Sequence, residues 1–398
     1  MIRPLHTLRD LFKSGVIFAP RASLNHGGWM THDANLLETM AGAYLLVRGS
    51  LPMLIHRDSF PSQYLALYDG LLELETGSLR SYADECDYQA LLGEIIRKSE
   101  STVVQHRYPE SELPASTCHV PPALLGLLNN KARLEEWVPA PWLLPRRVIF
   151  PTQTGYEEPQ TWPQVLKAAG SMTSGGGADV RICRNPDDWR RAVGDFAGAE
   201  ALILEKYQAP RQILGVQFVA ADSGEIHDLG CTENELTSQG YVNGNWIDAK
   251  SEASLEMKAV GRQIMEKAVR AGYRGVAGID FLIADDGRFW VIDLNFRCNA
   301  GTPGLLLSAS IHREWKCSTM FSTIVSTMLP TTEFFHLLRK GIEDRWLLPL
   351  GGYFPVSGPP QMAAILFLGN DRNEVKARRK EWGRRLRKPR RSWWRFWR

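Results

Sequence analysis

The stretch from Gly275 to Gly304 has the sequence pattern of a β-hairpin, but it carries charged residues that would not stabilise a hairpin by themselves. Two apolar runs flank Asp285-Asp286-Gly287, and Asp-Gly between alternating apolar residues is a strong turn signal. A two-residue turn at Asp286–Gly287 places Asp280 directly opposite Asp293. A three-residue turn would instead offset this pair by one position.

Two carboxylates that face each other across a hairpin repel, so a sheet gains nothing from them alone. Strand alternation places Asn295 and Arg297 on the same face as Asp280 and Asp293. A divalent cation held between the two aspartates would remove the conflict. Carboxylate and amide oxygens suit Mg²⁺, which usually shares its coordination shell with substrate phosphates. The hairpin therefore predicts a site with a chemical task.

A second pattern lies upstream, where a predicted strand carrying Lys167 is followed by Gly175, Gly176 and Gly177. Consecutive glycines after a strand let backbone amides approach an anion, as phosphate-binding loops require. A flexible hairpin tip would give the same pattern. The loop is not a Walker A motif, because no Gly-Lys-Ser/Thr opens a helix.

Composition narrows the class of protein. A chain of 398 residues is long enough for two or three domains. It has no continuous apolar run of about 18 residues, so we expect no membrane span. Six scattered cysteines without CxxC spacing argue against a zinc site and favour a reducing, cytoplasmic location.

The net charge of +3 is unevenly distributed. The segment Lys376–Arg398 carries a net charge of +11, which leaves −8 for the rest of the chain. The sequence is thus an acidic globular body with a basic, aromatic tail, and a broad nucleic-acid surface is not expected.

The sequence predicts an α/β fold with several domains. Strands are predicted at 15–19, 162–169 and 362–368, a helix ending near Trp137, a helix at 254–271, and mostly helix at 305–329. The predicted division is an N-terminal α/β domain (1–125), a central domain (126–330), a small C-terminal strand and helix segment (331–388) and a tail (389–398).

The order of these features, with the acidic hairpin as the most specific part, resembles the ATP-grasp superfamily of carboxylate-activating ligases over roughly residues 121–330. The resemblance implies α+β subdomains that hold a nucleotide between them, behind an N-terminal pre-ATP-grasp domain. It also implies a reaction in which a carboxylate attacks the γ-phosphate of ATP to give an acyl phosphate. A nucleophile, usually an amine, then displaces the phosphate.

The resemblance also implies roles for particular residues. Lys131 and Lys167 would contact the nucleotide phosphates, and Gly175, Gly176 and Gly177 would form the flap over them. Glu205, Lys206 and Tyr207 would form the adenine hinge. Asp280, Asp293 and Asn295 would be ligands of Mg²⁺, or of Mn²⁺. Arg297 would hold the transferring phosphoryl group or the substrate carboxylate.

The chain departs from the family pattern in two places. Many members have glutamate at both metal positions, where this chain has Asp280 and Asp293. An acid that binds ribose is often found past the hinge, and here Gln212 stands nearby, so the ribose contacts stay open.

The segment Pro121–Lys131 (PPALLGLLNNK) and the lengthy N-terminal domain resemble amino-acid ligases of specialised and antibiotic metabolism. These include pheganomycin-type peptide ligases and glutamate-ligating relatives, which implies an amino acid as the carboxylate donor. The polar segment Cys231–Gly240 could bind it or be a surface loop, and Thr302 is a further candidate.

Three functions from different classes remain open. The first is a ligase that joins two small amino acids. The second is a ligase that loads an amino acid such as glutamate onto the thiol of an acyl carrier protein, which the basic tail would attract. The third is nucleic-acid or membrane-surface binding through the Arg/Trp tail, although a solvated extension explains the tail as well.

Overall fold

The computed structural model describes residues 2–25, 33–72, 74–150, 156–170, 175, 177–237 and 241–386. Within these ranges the chain forms three β-sheets with helices packed against them. No helix in the described ranges is long and apolar enough to cross a membrane.

The first part of the chain is a four-stranded parallel sheet with its connecting helices. Its elements are α1 (Leu8–Leu11), β1 (Val16–Ala19), α2 (Ala34–Gly42), β2 (Met53–His56), α3 (Ser62–Leu65), β3 (Leu79–Tyr82), α4 (Glu85–Arg97) and β4 (Ser101–Val104). The strand order is β3-β2-β1-β4. Strands β1 and β2 are buried along their whole length, as expected for parallel strands covered on both faces. The predicted N-terminal α/β fold is confirmed.

Two short helices, α5 (Pro122–Leu128) and α6 (Leu134–Trp137), lead to the second sheet. The prediction of a helix ending near Trp137 is correct for its end but misses the break between them. The break occurs at Asn129, whose side-chain amide donates to the carbonyl of Leu125 (2.8 Å) and ends the helix. Lys131 therefore begins a short 3₁₀ turn outside both helices.

The second sheet is small and antiparallel. Its elements are β5 (Arg146–Ile149), β6 (Gln164–Ala169), β7 (Val180–Cys183), α7 (Pro186–Asp195) and β8 (Ala201–Lys206). The strand order β5-β8-β6-β7 makes β6 and β8 neighbours, which brings Lys167 and Glu205 onto one face. Helix α7 covers the other face and is capped at its start by the side chain of Asn185.

The third sheet has eight antiparallel strands in the order β13-β12-β9-β10-β11-β14-β16-β15. Its elements are β9 (Gln212–Ala220), β10 (Ile226–Leu236), β11 (Val242–Ile247), α8 (Leu255–Arg270), β12 (Gly275–Ile283), β13 (Phe289–Asn295), α9 (Thr302–Trp315), β14 (Thr319–Thr327), α10 (Thr331–Glu343), β15 (Leu347–Tyr353), β16 (Gln361–Gly369) and α11 (Arg372–Arg385). Strands β15 and β16 extend this sheet at one edge. The domain boundaries given from the sequence stay predictions. The tail (389–398) lies outside the described residues.

Helix α8 packs on the back of this sheet through Met257, Val260, Ile264, Met265 and Ala268. Gly261 sits at the closest approach, because a Cβ at this position would lie 2.6 Å from the ring of Phe218 on β9. The cleft is on the opposite face of the sheet, so α8 supports the strands that carry the site.

The hairpin β12–β13 brings Asp280 opposite Asp293 as predicted, but by a different route. The turn has three residues, with Gly287 at φ +85°, and strand pairing next to it is offset by one position. A β-bulge then adds one residue, Ile292, between Val291 and Asp293. The bulge restores the register at Asp280, so the pairing is confirmed and the two-residue turn is wrong.

One further prediction is wrong. The region 305–329 is not mostly helical, because α9 ends at Trp315 and β14 follows. Lys316 adopts left-handed backbone angles (φ 59°) that end the helix, and the nine residues of β14 are rich in β-branched side chains. The segment Cys231–Gly240, for which a substrate-binding segment and a surface loop were the alternatives, belongs to β10 as far as Leu236.

Candidate active site

The described residues that the sequence assigned to one site all line a single cleft between the second and third sheets. They are Lys131, Lys167, Gly175, Gly177, Glu205, Lys206, Tyr207, Asp280, Asp293, Asn295 and Arg297. Gly176 lies outside the described residues. The cleft therefore collects side chains from distant positions in the chain, as a binding site between subdomains requires.

The acidic pair forms one wall of the cleft. Asn295 donates from its amide nitrogen to Asp280 (Nδ2 to Oδ2, 3.2 Å), which leaves the amide oxygen for another partner. Burial and the neighbouring charge of Asp293 raise the pKa of Asp280 to about 7, although Lys131 and Arg297 oppose this. Burial also acts to raise the pKa of Asp293, but Lys131 outweighs it and holds that pKa below its usual value. The pair therefore needs positive charge to be fully ionised.

The strand next to Asp280 makes room for it. Gly215 on β9 pairs with Asp280, and a Cβ there would lie 3.0 Å from Asp280 Oδ1 and 3.1 Å from Thr232 Oγ1. A larger residue at position 215 would crowd the aspartate.

Lys131 is the cation closest to the acidic pair. Its Nζ lies 2.7 and 2.8 Å from the two carboxylate oxygens of Asp293 and 3.3 Å from Asp179 Oδ2. Burial lowers the pKa of Lys131, but these two carboxylates outweigh it and hold the pKa above its usual value. Lys131 is thus a protonated ammonium group held against the acidic pair of the hairpin.

Lys167 reaches the same wall from the small sheet. Its Nζ lies 2.7 Å from Glu205 Oε1 and donates to the carbonyl of Ile292 (3.1 Å). Ile292 is the bulge residue of β13, so its carbonyl is available to a side chain. Lys167 and Glu205 are both nearly inaccessible to solvent, so each charge depends on the other for its neutralisation.

Part of the cleft has apolar walls. Lys206 ends β8 and Tyr207 follows it, and both line the cleft. The backbone amide of Lys206 donates to the carbonyl of Pro145 (2.9 Å). The apolar side chains come from four strands and a connecting segment, namely Leu144, Val165, Ile182, Leu282 and Ile292. Apolar walls of this kind suit a planar heterocycle.

The glycine loop is described only at Gly175 and Gly177. Both line the cleft, and Gly177 has φ +77°, a conformation that favours glycine. The loop lies between β6 and β7 in the sequence. Residues 171–174 and 176 lie outside the described residues, and the flap stays a prediction.

Arg297 follows β13 and lines the cleft beside Asn295. Its Nη1 donates to Asn129 Oδ1 (3.2 Å), and the same oxygen accepts from the backbone amide of Phe296 (2.9 Å). Arg297 is thus held by a contact with the end of α5.

The two further candidates for substrate binding are Thr302 and the segment Cys231–Gly240, and only the second contributes described residues to the cleft lining. Thr302 is fully buried at the start of α9 and donates to Gln217 Oε1 (2.7 Å), away from the cleft lining. In β10, Asn234 and Leu236 line the cleft, whereas Glu233 and Glu235 point to Arg372 and Arg379 of α11. Residues 238–240 lie outside the described residues. Gln212 is bonded to Glu233 and does not line the cleft.

Sequence reasoning missed three polar residues of the site, Asp179, Arg146 and Asn129. Asp179 binds Lys131, and Arg146 lies 3.6 Å from Glu205 Oε2 and donates to the carbonyl of Lys131. Asp179 comes directly after the glycine loop and Asn129 shortly before Lys131, so proximity to those motifs was the available signal. Arg146 had none.

The donor set fits a magnesium ion. Within the described residues no group of three or more His, Cys, Asp or Glu side chains could enclose a metal. Two carboxylates and an amide instead offer a partial oxygen shell, and the repulsion between Asp280 and Asp293 favours a cation. Mg²⁺ typically keeps waters and completes its shell with substrate phosphates, which an open cleft permits.

Two family models match this chain. The model described as L-aspartate–L-methionine ligase, ATP grasp, matches residues 145–295. The model described as L-aspartate–L-methionine ligase N-terminal domain matches residues 7–126. The matched ranges together cover more than half of the chain and include most of the cleft.

Among curated proteins, the chain is 28% identical over 160 residues to biotin carboxylase 1, chloroplastic, of Populus trichocarpa. That match covers 38% of this chain and only 29% of the length of the relative.

Solved structures share the fold over nearly the whole chain. N5-carboxyaminoimidazole synthetase from Staphylococcus aureus, complexed with ADP, is 12% identical with a TM-score of 0.58, covering 93% of this chain and 98% of that one. L-amino acid ligase from Bacillus licheniformis is 13% identical with a TM-score of 0.52, covering 94% and 98%. With the two family models, these results lead to one conclusion: the chain belongs to the ATP-grasp family of amino-acid ligases, ATP-dependent enzymes that form C–N bonds.

Proposed function

We propose that this protein uses ATP and Mg²⁺, or Mn²⁺, to activate the carboxylate of one amino acid as an acyl phosphate and joins it to the amine of a second. The observation that carries the proposal is the single cleft, in which two lysines, an arginine, two facing aspartates and an asparagine amide surround one space. Phosphoryl transfer depends mainly on positioning and charge neutralisation, and these groups supply both.

Each residue has a proposed task. The backbone at Lys206 and Tyr207 would bind the adenine edge, while Lys131 and Lys167 would bind phosphate oxygens. The glycine loop would cover the triphosphate with backbone amides. Asp280, Asp293 and Asn295 would hold the magnesium ion, whose chemistry is to neutralise and orient phosphate oxygens. Arg297 would steady the γ-phosphoryl group or the reacting carboxylate.

The proposed reaction has two transfers. A carboxylate oxygen of the donor amino acid attacks the γ-phosphorus, and the bond to the β-phosphate oxygen breaks to release ADP. The neutral amine of the acceptor then attacks the acyl carbon, and inorganic phosphate leaves. The amine proton passes to phosphate or solvent. No side-chain nucleophile is required, and the six cysteines are free thiols that the proposed reaction does not use.

The names of both family models support a narrower proposal about the substrates. We infer that an acidic amino acid such as L-aspartate is the carboxylate donor and an apolar one such as L-methionine the amine acceptor. A role in specialised or antibiotic metabolism and a cytoplasmic location are further proposals. Loading of an acyl carrier protein and tail-mediated binding are the alternatives that the test below separates.

The test is phosphate release from ATP and Mg²⁺ with amino acids offered singly and in pairs. Release that requires two amino acids, with a product of dipeptide mass, supports the proposal, and aspartate with methionine should be among the fastest pairs. Release that requires a carrier protein would favour thioester formation instead. The variant Asp293→Asn should lose turnover, whereas Asp286→Asn, in the exposed turn of the same hairpin, should keep it. Full activity of Asp293→Asn would refute the site assignment.

A further inference from the structure

The backbone on both sides of Arg297 is held by side-chain amides from outside the hairpin. Before it, the amide of Phe296 donates to Asn129 Oδ1 (2.9 Å). After it, the amide of Cys298 donates to Gln105 Oε1 (2.9 Å). Asn129 also accepts from the Arg297 guanidinium itself (3.2 Å). Three hydrogen bonds thus fix both the path of the main chain and the direction of one side chain.

Gln105 directly follows β4, a strand of the first sheet. It lies more than a hundred residues before the hairpin in the sequence. It is only 4% exposed, and its Oε1 accepts from the backbone amide of a residue 193 positions later. The Gln105 side chain also bonds to the Cys298 thiol, which counteracts the burial that raises the pKa of that thiol. Both contacts are therefore made to the residue that directly follows Arg297.

Asn129 and Lys131 are two residues apart in the segment after α5. Asn295 and Arg297 are likewise two residues apart at the end of β13, and the two segments contact each other. Lys131 binds Asp293 while Asn129 binds Arg297. The break after α5 is what exposes both side chains to the hairpin. This short segment therefore contacts the acidic pair and the arginine together.

We propose that Asn129 and Gln105 are positioning residues, which hold Arg297 in the direction needed for the transferring phosphoryl group and connect the N-terminal sheet to that arginine. This inference rests on the role proposed for Arg297 above. The long arginine side chain has many rotamers, and a productive site requires its charged end within about 0.5 Å of one position. Fixing the flanking amides and one guanidinium nitrogen removes most of that freedom.

The test is a double-mutant cycle with Arg297→Met. Asn129→Leu and Gln105→Met each keep the approximate size of the side chain and remove the acceptor oxygen. The first readout is the ratio of dissociation constants for ADP and a non-hydrolysable ATP analogue, both with Mg²⁺. The second is kcat/KM for the amino-acid pair that the wild-type protein uses.

Each single variant should reduce the preference for the triphosphate and lower kcat/KM by about tenfold, mostly through kcat. In the Arg297→Met background the same changes should have no further effect, because their target is absent. Gln361→Met is a matched control, since Gln361 on β16 is also a fully buried glutamine, and its amide atoms bond to no partner within the part of the chain that the structure describes. It should leave the ratio unchanged. If Asn129→Leu fails to fold, Asn129→Asp, which keeps the acceptor oxygen, should retain the coupling to Arg297.

Losses that add to those of Arg297→Met, or an Arg297→Met variant with an unchanged nucleotide ratio, would overturn the positioning role. Failure of the ligase proposal has a different signature, because the wild-type protein would then release no phosphate with any amino-acid pair. The nucleotide-binding cycle can still be completed in that case.

Discussion

Lys131 occupies both carboxylate oxygens of Asp293, at 2.7 and 2.8 Å, although Asp293 is one of the residues proposed to bind metal. The ammonium group therefore neutralises part of the negative charge of the hairpin. A divalent cation at Asp293 has to compete with it, and the phosphates of ATP offer Lys131 other anions to bind.

The variant Lys131→Met should make metal binding independent of nucleotide. Removing the ammonium leaves Asp179 and Asp293 without their shared cation, which costs about 3–5 kcal/mol for a buried pair. We expect a lower melting temperature that Mn²⁺ or Mg²⁺ restores, and a larger Mn²⁺-induced shift than in the wild-type protein. Lys340→Met, at an exposed ion pair on α10, is the control. Equal shifts in wild type and variant would contradict the idea that Lys131 screens the metal site.

The variant Asp280→Asn should stabilise the metal-free protein while abolishing turnover. Burial, and then the charge of Asp293, raise the pKa of Asp280 to about 7, so above pH 7 the protein holds a buried charge beside a like charge, and an amide at position 280 removes both costs. The expected gain in unfolding free energy is roughly 1–3 kcal/mol, measured by denaturant titration in the presence of a chelator. A destabilised variant would show that the aspartate is held by attractive contacts instead.

Lys167→Met and Arg297→Met should affect different kinetic parameters. Lys167 lies deep in the cleft against Glu205 and the bulge carbonyl, so its loss should raise the KM for ATP by about tenfold or more. Arg297 is proposed to act on the group in transfer, so its loss should lower kcat by about 10²–10³ with a smaller change in KM. Steady-state kinetics over a range of ATP concentrations separate the two. Identical kinetic profiles would argue against distinct roles.

Arg372→Met should weaken the protein and remove part of its resistance to acid. Arg372 lies 2.7 Å from both Asp248 and Glu233 and anchors α11 to the third sheet. Burial tends to raise the pKa of Asp248, but hydrogen bonds from Arg372 outweigh it and hold the pKa below 3.8. A lowered pKa gives stability that is present above the usual value and lost as pH falls through the folded value.

The expected loss for Arg372→Met is about 1.5–3 kcal/mol at neutral pH, with a smaller penalty once Asp248 is protonated. Unfolding followed from pH 7 down to pH 3 in wild type and variant tests this, with Arg385→Met, at an exposed pair on the same helix, as the control. A constant difference across the whole range would mean that Asp248 does not contribute.

The hairpin and the glycine loop were predicted from local patterns of residues, whereas the roles of the lysines and the hinge came from the resemblance to the ATP-grasp superfamily. Asp179 and Asn129 were missed although they lie close to these motifs in the sequence, because their contacts with Lys131 and Arg297 depend on how distant segments pack. The strand β14 was taken for helix because periodicity alone favoured it, whereas its β-branched residues pair with β11 and β16. The Asp280–Asp293 pairing was correct even though the turn was not.

The pairing of Asp280 with Asp293 is correct because a bulge at Ile292 separates the turn from the acidic pair. Strand register at Asp280 is set by the extra residue and its contact with Lys167, so the length of the loop at 285–287 does not determine it. The tip of the hairpin is consequently free to accept insertions, deletions or a grafted peptide tag without moving the carboxylates. In this protein the facing of the two aspartates thus depends on the bulge within β13 and not on the residues at the hairpin tip.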